Sequence, residues 1–337
     1  MKESELRFFR EILEINSTTG EERKLADMLL AHMRDEGIDA EFAPMPHDAI
    51  QPANVFAKWG RPDIVFCTHL DTVPPYISPA FDGDEVRGRG SCDAKGQIIS
   101  MYLACCRLAA EGATDFGLLL LHGEETGSFG AKEFRTLPGG ELVIVGEPTD
   151  NCMVKASKGT KAFAITVTGK SFHSGYPENG DSAIDRFIDF STALREKEFT
   201  HDPVLGATSY NIGKLISDNP QNIISDKLCC RVYFRTTFSS DSQVSEFMAS
   251  LASNHIKIEP LGGDSPMNYL TLPGFPTTTV SFGSDAPQLT NFKERILCGA
   301  GSILVAHRPE EHIRLEEIDK AVKQYVDIYH FYKNQKQ

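Results

Sequence analysis

Short apolar segments of strand length alternate with a helix-like segment in the first half of the chain. Residues 63–70, 116–121 and 141–145 are apolar at nearly every position, and residues 96–110 carry apolar side chains at helical spacing. A strand that is apolar throughout is covered on both faces, and a helical connection between two strands makes them parallel. The pattern therefore predicts an α/β fold with a mostly parallel sheet that is covered by helices on both faces.

A different pattern begins after Met153. Residues 161–168 alternate between apolar and polar side chains, as do parts of 209–216 and 228–238, and helical patterns lie at 183–194 and 244–253. Such alternation is typical of an antiparallel sheet with one solvated face. We therefore predict a first domain from residues 1–157 and 268–337, interrupted by a smaller α+β domain at residues 158–267.

Charge and composition limit the partners and the compartment. The net charge of −13 argues against nucleic acid and against anionic membranes, which both attract basic surfaces. No apolar stretch is long enough to span a bilayer, and the first residues lack the apolar core of a signal peptide. The eight cysteines show no C-x-x-C spacing and no disulfide-like framework. We expect a cytoplasmic protein with reduced thiols and no thiolate metal site.

Side chains that bind metals follow the predicted strands. Strand 63–70 ends near His69 and Asp71, and a strand predicted from the apolar run 303–306 ends before His307. Open α/β sheets place their ligands at the carboxyl ends of the strands. Each residue alone has an ordinary explanation, such as a core histidine or a turn cap, but their shared placement favours one site. The candidates are His69, Asp71, Asp93, Glu124, Glu125, Glu147 and His307.

The types of donor indicate which ions would bind. Two histidines and several carboxylates without a thiolate suit one or two divalent ions such as zinc, cobalt or manganese. If Asp93 bridges two ions, each ion receives one histidine, one glutamate and a share of Asp93. Glu124 is then left over as a general base, as a two-metal hydrolase requires.

Five motifs carry a resemblance to a known family. HLDTVP, GRGSCDAKG, GEETGSFGA, GEPT and AHRPEEHI, in this order, resemble the M20-type zinc metallopeptidases and deacylases of the acetylornithine deacetylase, succinyl-diaminopimelate desuccinylase and carboxypeptidase G2 group. The resemblance implies one zinc ion on His69, Asp93 and Glu147, and a second on Asp93, Glu125 and His307. It also implies that Asp71 orients His69, that Glu124 is the base, and that the Asp93–Ala94 peptide is cis.

The resemblance also implies roles for the inserted domain. It would act as a lid and often as the contact surface of a homodimer. His173, in SFHSGYPENG, would steady the tetrahedral intermediate, in dimers that of the partner's site. Asn222 and Arg235, in NIISDKLCCRVYFR, would contact the substrate. A strand cap and a solvated strand face are the ordinary alternatives for these two residues.

The sequence thus predicts a metal-dependent amidohydrolase with two divalent ions, most simply zinc. Its partner would be a small N-acyl amino acid or a short peptide. The first expectation is removal of the acyl group from an N-acyl amino acid, in the manner of acetylornithine deacetylase. A dipeptidase or carboxypeptidase with the same metal centre is the alternative, and a non-catalytic binding protein on the same fold is a further one.

Overall fold

The computed structural model describes residues 1–45 and 50–335. The chain divides into two compact units: the first comprises Met1–Lys155, Tyr269–Thr278 and Ser284–Gln337, and the second comprises Ala156–Asn268 and Thr279–Gly283. Residues 156, 157 and 268, which the sequence pattern predicts in the first domain, fall in the second unit, and so do residues 279–283. The backbone explains this difference, because the Val280 carbonyl accepts a hydrogen bond from the Lys158 amide.

The described residues form strands and helices throughout both units. In chain order the strands are β1 (Asp39–Phe42), β2 (Val55–Gly60), β3 (Ile64–His69), β4 (Ala80–Asp82), β5 (Glu85–Arg87), β6 (Asp115–Leu121), β7 (Leu142–Val145), β8 (Met153–Ser157), β9 (Gly159–Thr168), β10 (Ser209–Ile216), β11 (Lys227–Thr236), β12 (Ile256–Gly262), β13 (Met267–Asn268), β14 (Thr277–Val280), β15 (Glu294–Leu297) and β16 (His312–Arg314). The α-helices are α1 (Glu3–Glu14), α2 (Arg23–Asp35), α3 (Lys95–Ala110), α4 (Phe129–Phe134), α5 (Ala183–Glu196), α6 (Asp241–Ser250) and α7 (Leu315–Gln335).

The first unit is built on a six-stranded sheet with the order β1-β2-β6-β3-β7-β15. The strands β6, β3, β7 and β15 are parallel to one another, whereas β2 pairs antiparallel with β6, and β1 antiparallel with β2, at one edge. Every residue of β3 and β7 is buried, which requires cover on both faces of the sheet. The predicted α/β fold with a mostly parallel sheet is confirmed.

The second unit has a four-stranded antiparallel sheet with the order β10-β11-β9-β12. Along β11, buried residues alternate with more exposed ones, so one face packs inward and the other meets solvent. Phe190 and Leu194 of α5 and Val244 and Met248 of α6 belong to the same apolar core as the inward side chains of this sheet. Apolar and polar residues alternate in this part of the sequence because only one face of the sheet is covered.

The topology of the first unit determines where a site can form. Because β6, β3, β7 and β15 run in the same direction, the segments that leave their carboxyl ends start at the same edge of the sheet. A small antiparallel sheet, β16-β5-β4, lies in the same unit and pairs residues 312–314 with residues 85–87. None of the helices within residues 1–45 and 50–335 is long and apolar enough to cross a membrane. All eight cysteines are free thiols.

Candidate metal centre

The predicted ligands of the first unit meet at the carboxyl edge of its sheet. His69 is the last residue of β3, and Glu147 follows β7 in the neighbouring position of the sheet. Glu124 and Glu125 lie in a turn after β6, and Asp93 lies in the loop that leads into α3. The edge therefore gathers side chains from segments that are far apart in sequence.

Asp93 lies between the two histidines of the site. Its Oδ1 is 3.0 Å from His69 Nε2 and its Oδ2 is 3.2 Å from His307 Nε2. Glu147 Oε2 is 4.0 Å from His69 Nε2, and Glu125 Oε1 is 3.1 Å from His307 Nε2. We call His69 and Glu147 the inner half of the cluster, and Glu125 and His307 the outer half. Asp93 is common to both halves.

The donor atoms lie close enough to hold a metal ion. One ligand atom each from His69, Asp93 and Glu125 lies within 4.8 Å of the others. These donors are nitrogen and oxygen atoms without sulfur, the set that suits zinc, cobalt or manganese ions. The residues present therefore fit a divalent metal.

The charge of the cluster gives a second reason why a cation fits. Burial raises the pKa of Glu124 and Glu147 well above the ordinary range, and neighbouring carboxylates raise it further. Burial also raises the pKa of Asp285, in the same region, to about 7. Buried carboxylates that face one another repel unless a proton or a cation lies between them. A divalent ion would remove that repulsion.

The neighbouring carboxylates raise the pKa of both histidines. Burial lowers the pKa of His69, but hydrogen bonds with Asp71 and Asp93 outweigh it, so the pKa lies well above the usual value. For His307, hydrogen bonds with Asp93 and Glu125 raise the pKa to about 10. Both imidazoles thus face carboxylate oxygens and are oriented toward the centre of the cluster.

Asp71 contacts both His69 and the turn after β6. Its backbone carbonyl accepts a hydrogen bond from His69 Nδ1 at 2.9 Å, and its Oδ1 is 3.3 Å from the same nitrogen. The carboxylate also accepts hydrogen bonds from the backbone amides of Glu124 and Glu125, at 3.0 and 3.1 Å. One buried side chain therefore orients a histidine and fixes the turn that carries both glutamates.

His307 does not follow a strand, so the prediction of a strand at residues 303–306 is wrong. These residues form turns, and the Val305 amide donates to the Ser302 carbonyl. The Leu304 side chain is exposed and Ala306 is the one buried residue of this run, so the run lacks the continuous buried face of a sheet strand. His307 itself has φ 64°, a left-handed conformation that non-glycine residues adopt when their surroundings enforce it.

Three charged residues without a predicted role also hold this site. Glu22 is buried, and its Oε1 accepts a hydrogen bond from the Gly123 amide at 3.2 Å. Arg89 and Glu311 form a buried ion pair beside Asp93. Glu311 belongs to the motif AHRPEEHI, so the motif contained the signal, but nothing in its spacing indicates which atoms it contacts. The implied cis peptide between Asp93 and Ala94 is present.

The three predicted lid residues all lie in the second unit. His173 pairs with Ile223 in an isolated bridge, and the Ser174 amide donates to the Asn222 carbonyl at 2.9 Å, so His173 and Asn222 lie close together. Arg235 lies in β11, with its guanidinium 5.0 Å from the centre of the Tyr233 ring. Their roles in a reaction stay predictions.

An α/β unit with such a cluster at the carboxyl edge of its parallel strands has the arrangement of a metal-dependent hydrolase. Comparison with known families agrees: the model of peptidase family M20/M25/M40 matches residues 65–330. The chain belongs to this family and is one of its hydrolases, as the five motifs indicate.

Individual relatives resemble the chain along most of its length. A peptidase M20 domain-containing protein of Schizosaccharomyces pombe is 30% identical over 94% of this chain and 82% of its own length. A protein of Aspergillus niger named a probable carboxypeptidase is 30% identical over 96% of this chain and 88% of its own. A solved dinuclear metal-binding peptidase of Bacillus subtilis shares the fold with a TM-score of 0.70, at 14% identity, over 98% of each chain.

Proposed function

We propose that this protein is a two-metal carboxypeptidase or dipeptidase, which hydrolyses the amide bond that precedes a free carboxylate. The observation that carries the proposal is the position of Asp93, with one carboxylate oxygen toward each histidine and one glutamate beside each histidine. Two ions that share one bridging ligand require a carboxylate with one oxygen directed toward each of two histidines.

In this proposal His69, Glu147 and Asp93 hold one ion, and Glu125, His307 and Asp93 hold the other. Zinc suits these donors best, and cobalt or manganese would also fit. When bound, such a pair of ions lowers the pKa of a water molecule and polarises the carbonyl group of the amide. Asp71 keeps His69 in the orientation that points Nε2 into the cluster.

Glu124 acts as the general base and acid. Its backbone amide is fixed by Asp71, and its carboxyl group is buried among the other carboxylates. From there the carboxylate accepts a proton from the attacking water and then donates it to the nitrogen of the leaving amine. Among the two neighbouring glutamates, only Glu125 contacts His307, which is why we assign the metal to Glu125 and the proton to Glu124.

Substrate recognition is assigned to the second unit. The planar guanidinium of Arg235 suits the two oxygens of a terminal carboxylate, and the Tyr233 ring beside it restricts its orientation. Asn222 contacts the substrate as well, and His173 steadies the oxyanion of the intermediate. A homodimer formed through this unit is part of the same proposal.

The name of the Aspergillus niger relative supports a peptide as substrate. Removal of the acyl group from an N-acyl amino acid, as acetylornithine deacetylase performs it, is the second candidate. The GEETGSFGA motif favours it, and such a substrate also carries an amide next to a free carboxylate.

A substrate panel tests the proposal. Protein loaded with zinc or cobalt is incubated with dipeptides, N-blocked dipeptides, and N-acetyl and N-succinyl amino acids, and the released amine is quantified. We expect cleavage of peptides with a free carboxyl terminus and none of the same peptides as carboxyl-terminal amides. Preference for N-acetyl or N-succinyl amino acids would select the deacylase instead. Protein that binds two ions and cleaves nothing in the panel would contradict both.

A further inference from the structure

The carboxylate of Glu311 accepts hydrogen bonds from backbone amides of the loop that carries Asp93. Its Oε1 accepts hydrogen bonds from the amides of Gly90, Cys92 and Asp93, at 2.9, 3.2 and 3.1 Å. The Glu311 side chain is fully buried. Hydrogen bonds to a charged acceptor are stronger than those between neutral groups, so three donors on one oxygen hold the backbone of this loop in place.

Arg89 completes the arrangement by contacting the other segments of the cluster. Its guanidinium pairs with Glu311 Oε2. The same group donates to the Arg308 carbonyl, next to His307, and to the Pro75 carbonyl, on the segment that begins with His69 and Asp71; both distances are 3.3 Å. The Arg89–Glu311 pair therefore connects the segments that carry His69, Asp93 and His307.

The small sheet of the first unit explains how these segments meet. Strand β16 pairs with β5 from His312 to Arg314, directly after Glu311. The pairing continues beyond β5, where the Gly88 amide donates to the Glu311 carbonyl at 3.0 Å. Residues 307–311 are thereby held beside residues 88–93, so His307 and the acceptor of the Asp93 amide belong to one short segment.

We infer that Glu311, with Arg89 as its partner, is the positioning residue that sets Asp93 between the two histidines. This inference rests on the proposed metal centre. Glu311 itself would contact neither the substrate nor the ions. Its effect passes through the backbone of Asp93, and partners of this kind typically change metal affinity by about 10- to 100-fold.

Zinc binding to the metal-free protein tests the inference. The wild type, Glu311→Gln and Glu310→Gln are stripped with a chelator and titrated with zinc by calorimetry, and the folded fraction is measured by circular dichroism. Glu310 is the matched control, because it is adjacent in sequence, its side chain is 71% exposed, and that side chain lies 3.7 Å from Arg308 rather than on the loop that carries Asp93. We expect zinc affinity per folded molecule to fall about 10- to 100-fold in Glu311→Gln and to change less than about twofold in Glu310→Gln.

Other outcomes separate this inference from the proposed function. Wild-type affinity in folded Glu311→Gln, with only a lower melting temperature, would overturn the inference and leave the metal centre intact. A wild type that binds no zinc would overturn both. If Glu311→Gln does not fold, the double variant Arg89→Met with Glu311→Gln removes both charges and leaves neither uncompensated. We expect the double variant to show the same loss of zinc affinity and a changed visible spectrum with cobalt, and wild-type behaviour in both would overturn the inference.

Discussion

The inner and outer halves of the cluster share Asp93 but differ in the exposure of their histidines. The His69 side chain exposes 1% of its surface and the His307 side chain 48%, whereas the two glutamates are similarly buried, with 5% of Glu147 and 8% of Glu125 exposed. The inner residues lie at the ends of β3 and β7, which are central strands of the sheet. The outer residues lie in turns. The pairing with neighbouring strands fixes where a central strand ends. A ligand in a turn is fixed only by the hydrogen bonds and packing contacts of that turn.

This difference has a functional meaning. Inner ligands are desolvated and fixed, so an ion there should bind tightly and exchange slowly. His307 is closer to solvent than His69, so the outer half should release its ion first, on the side from which a substrate would enter. The following experiments test this contrast, beginning with the largest expected effect.

Glu124 and Glu125 should separate catalysis from metal binding. Glu124 belongs to neither half, so Glu124→Gln should keep both ions while turnover falls about 10²- to 10⁴-fold, the usual contribution of a general acid-base group. Glu125 belongs to the outer half, so Glu125→Gln should lose one ion together with activity. Metal analysis and steady-state kinetics on both variants provide the measurement. If Glu124→Gln loses an ion and Glu125→Gln keeps both, the two roles are reversed.

Histidine replacement should distinguish the two halves by stability. In metal-free protein His69→Ala removes a buried imidazole that faces the buried carboxylates of Asp71 and Asp93, which should cost about 1–3 kcal/mol. His307→Ala removes a half-exposed side chain and should cost less than about 1 kcal/mol. Urea unfolding of the two apoproteins measures the difference, and the metal content of each should fall from two ions to one. Equal losses of stability would mean that the inner half is no more rigid than the outer.

The smallest effect concerns pH and the outer half. Hydrogen bonds with Asp93 and Glu125 raise the pKa of His307 to about 10 from the ordinary value of 6.5. The folded state therefore binds more protons than the unfolded state between these values, and the stability that His307 contributes falls as pH rises through about 10. Metal-free wild type should exceed His307→Gln in melting temperature by about 2 °C at pH 6.

Above about pH 10 this advantage should disappear. An advantage that persists unchanged at pH 11 would show that protonated His307 does not pair with Asp93 and Glu125. The same replacement at His201, an exposed histidine elsewhere in the chain, provides the control for general effects of histidine removal.

The fold was predictable because burial leaves a pattern in the sequence. β3, β6 and β7 read as continuous apolar segments since both faces of the sheet are covered. β9 and β11 alternate since their sheet is covered on one face. Parallel strands end at one edge, which is why His69, Glu125 and Glu147 could be expected to approach one another before any distance was known.

The failures have physical reasons as well. The apolar residues 303–306 have the composition of a strand, but no strand within residues 1–45 and 50–335 pairs with them, and their backbone forms hydrogen bonds within turns instead. Side-chain contacts with distant backbone amides leave no periodic pattern in the sequence, because a backbone donor can belong to any residue type. The contacts of Glu22, Asp71 and Glu311 are of this kind.

The sequence by itself determined the two kinds of sheet, the edge at which the ligands gather and, through its motifs, the family. Only the tertiary structure decided that Asp93 faces a histidine on each side, that His69 is buried and His307 half-exposed, and that Arg89 and Glu311 connect the segments of the cluster. The physical reason is that periodicity records how much of each side chain is buried. Contacts between polar groups far apart in the chain depend instead on loop paths and on single hydrogen bonds, which periodicity does not encode.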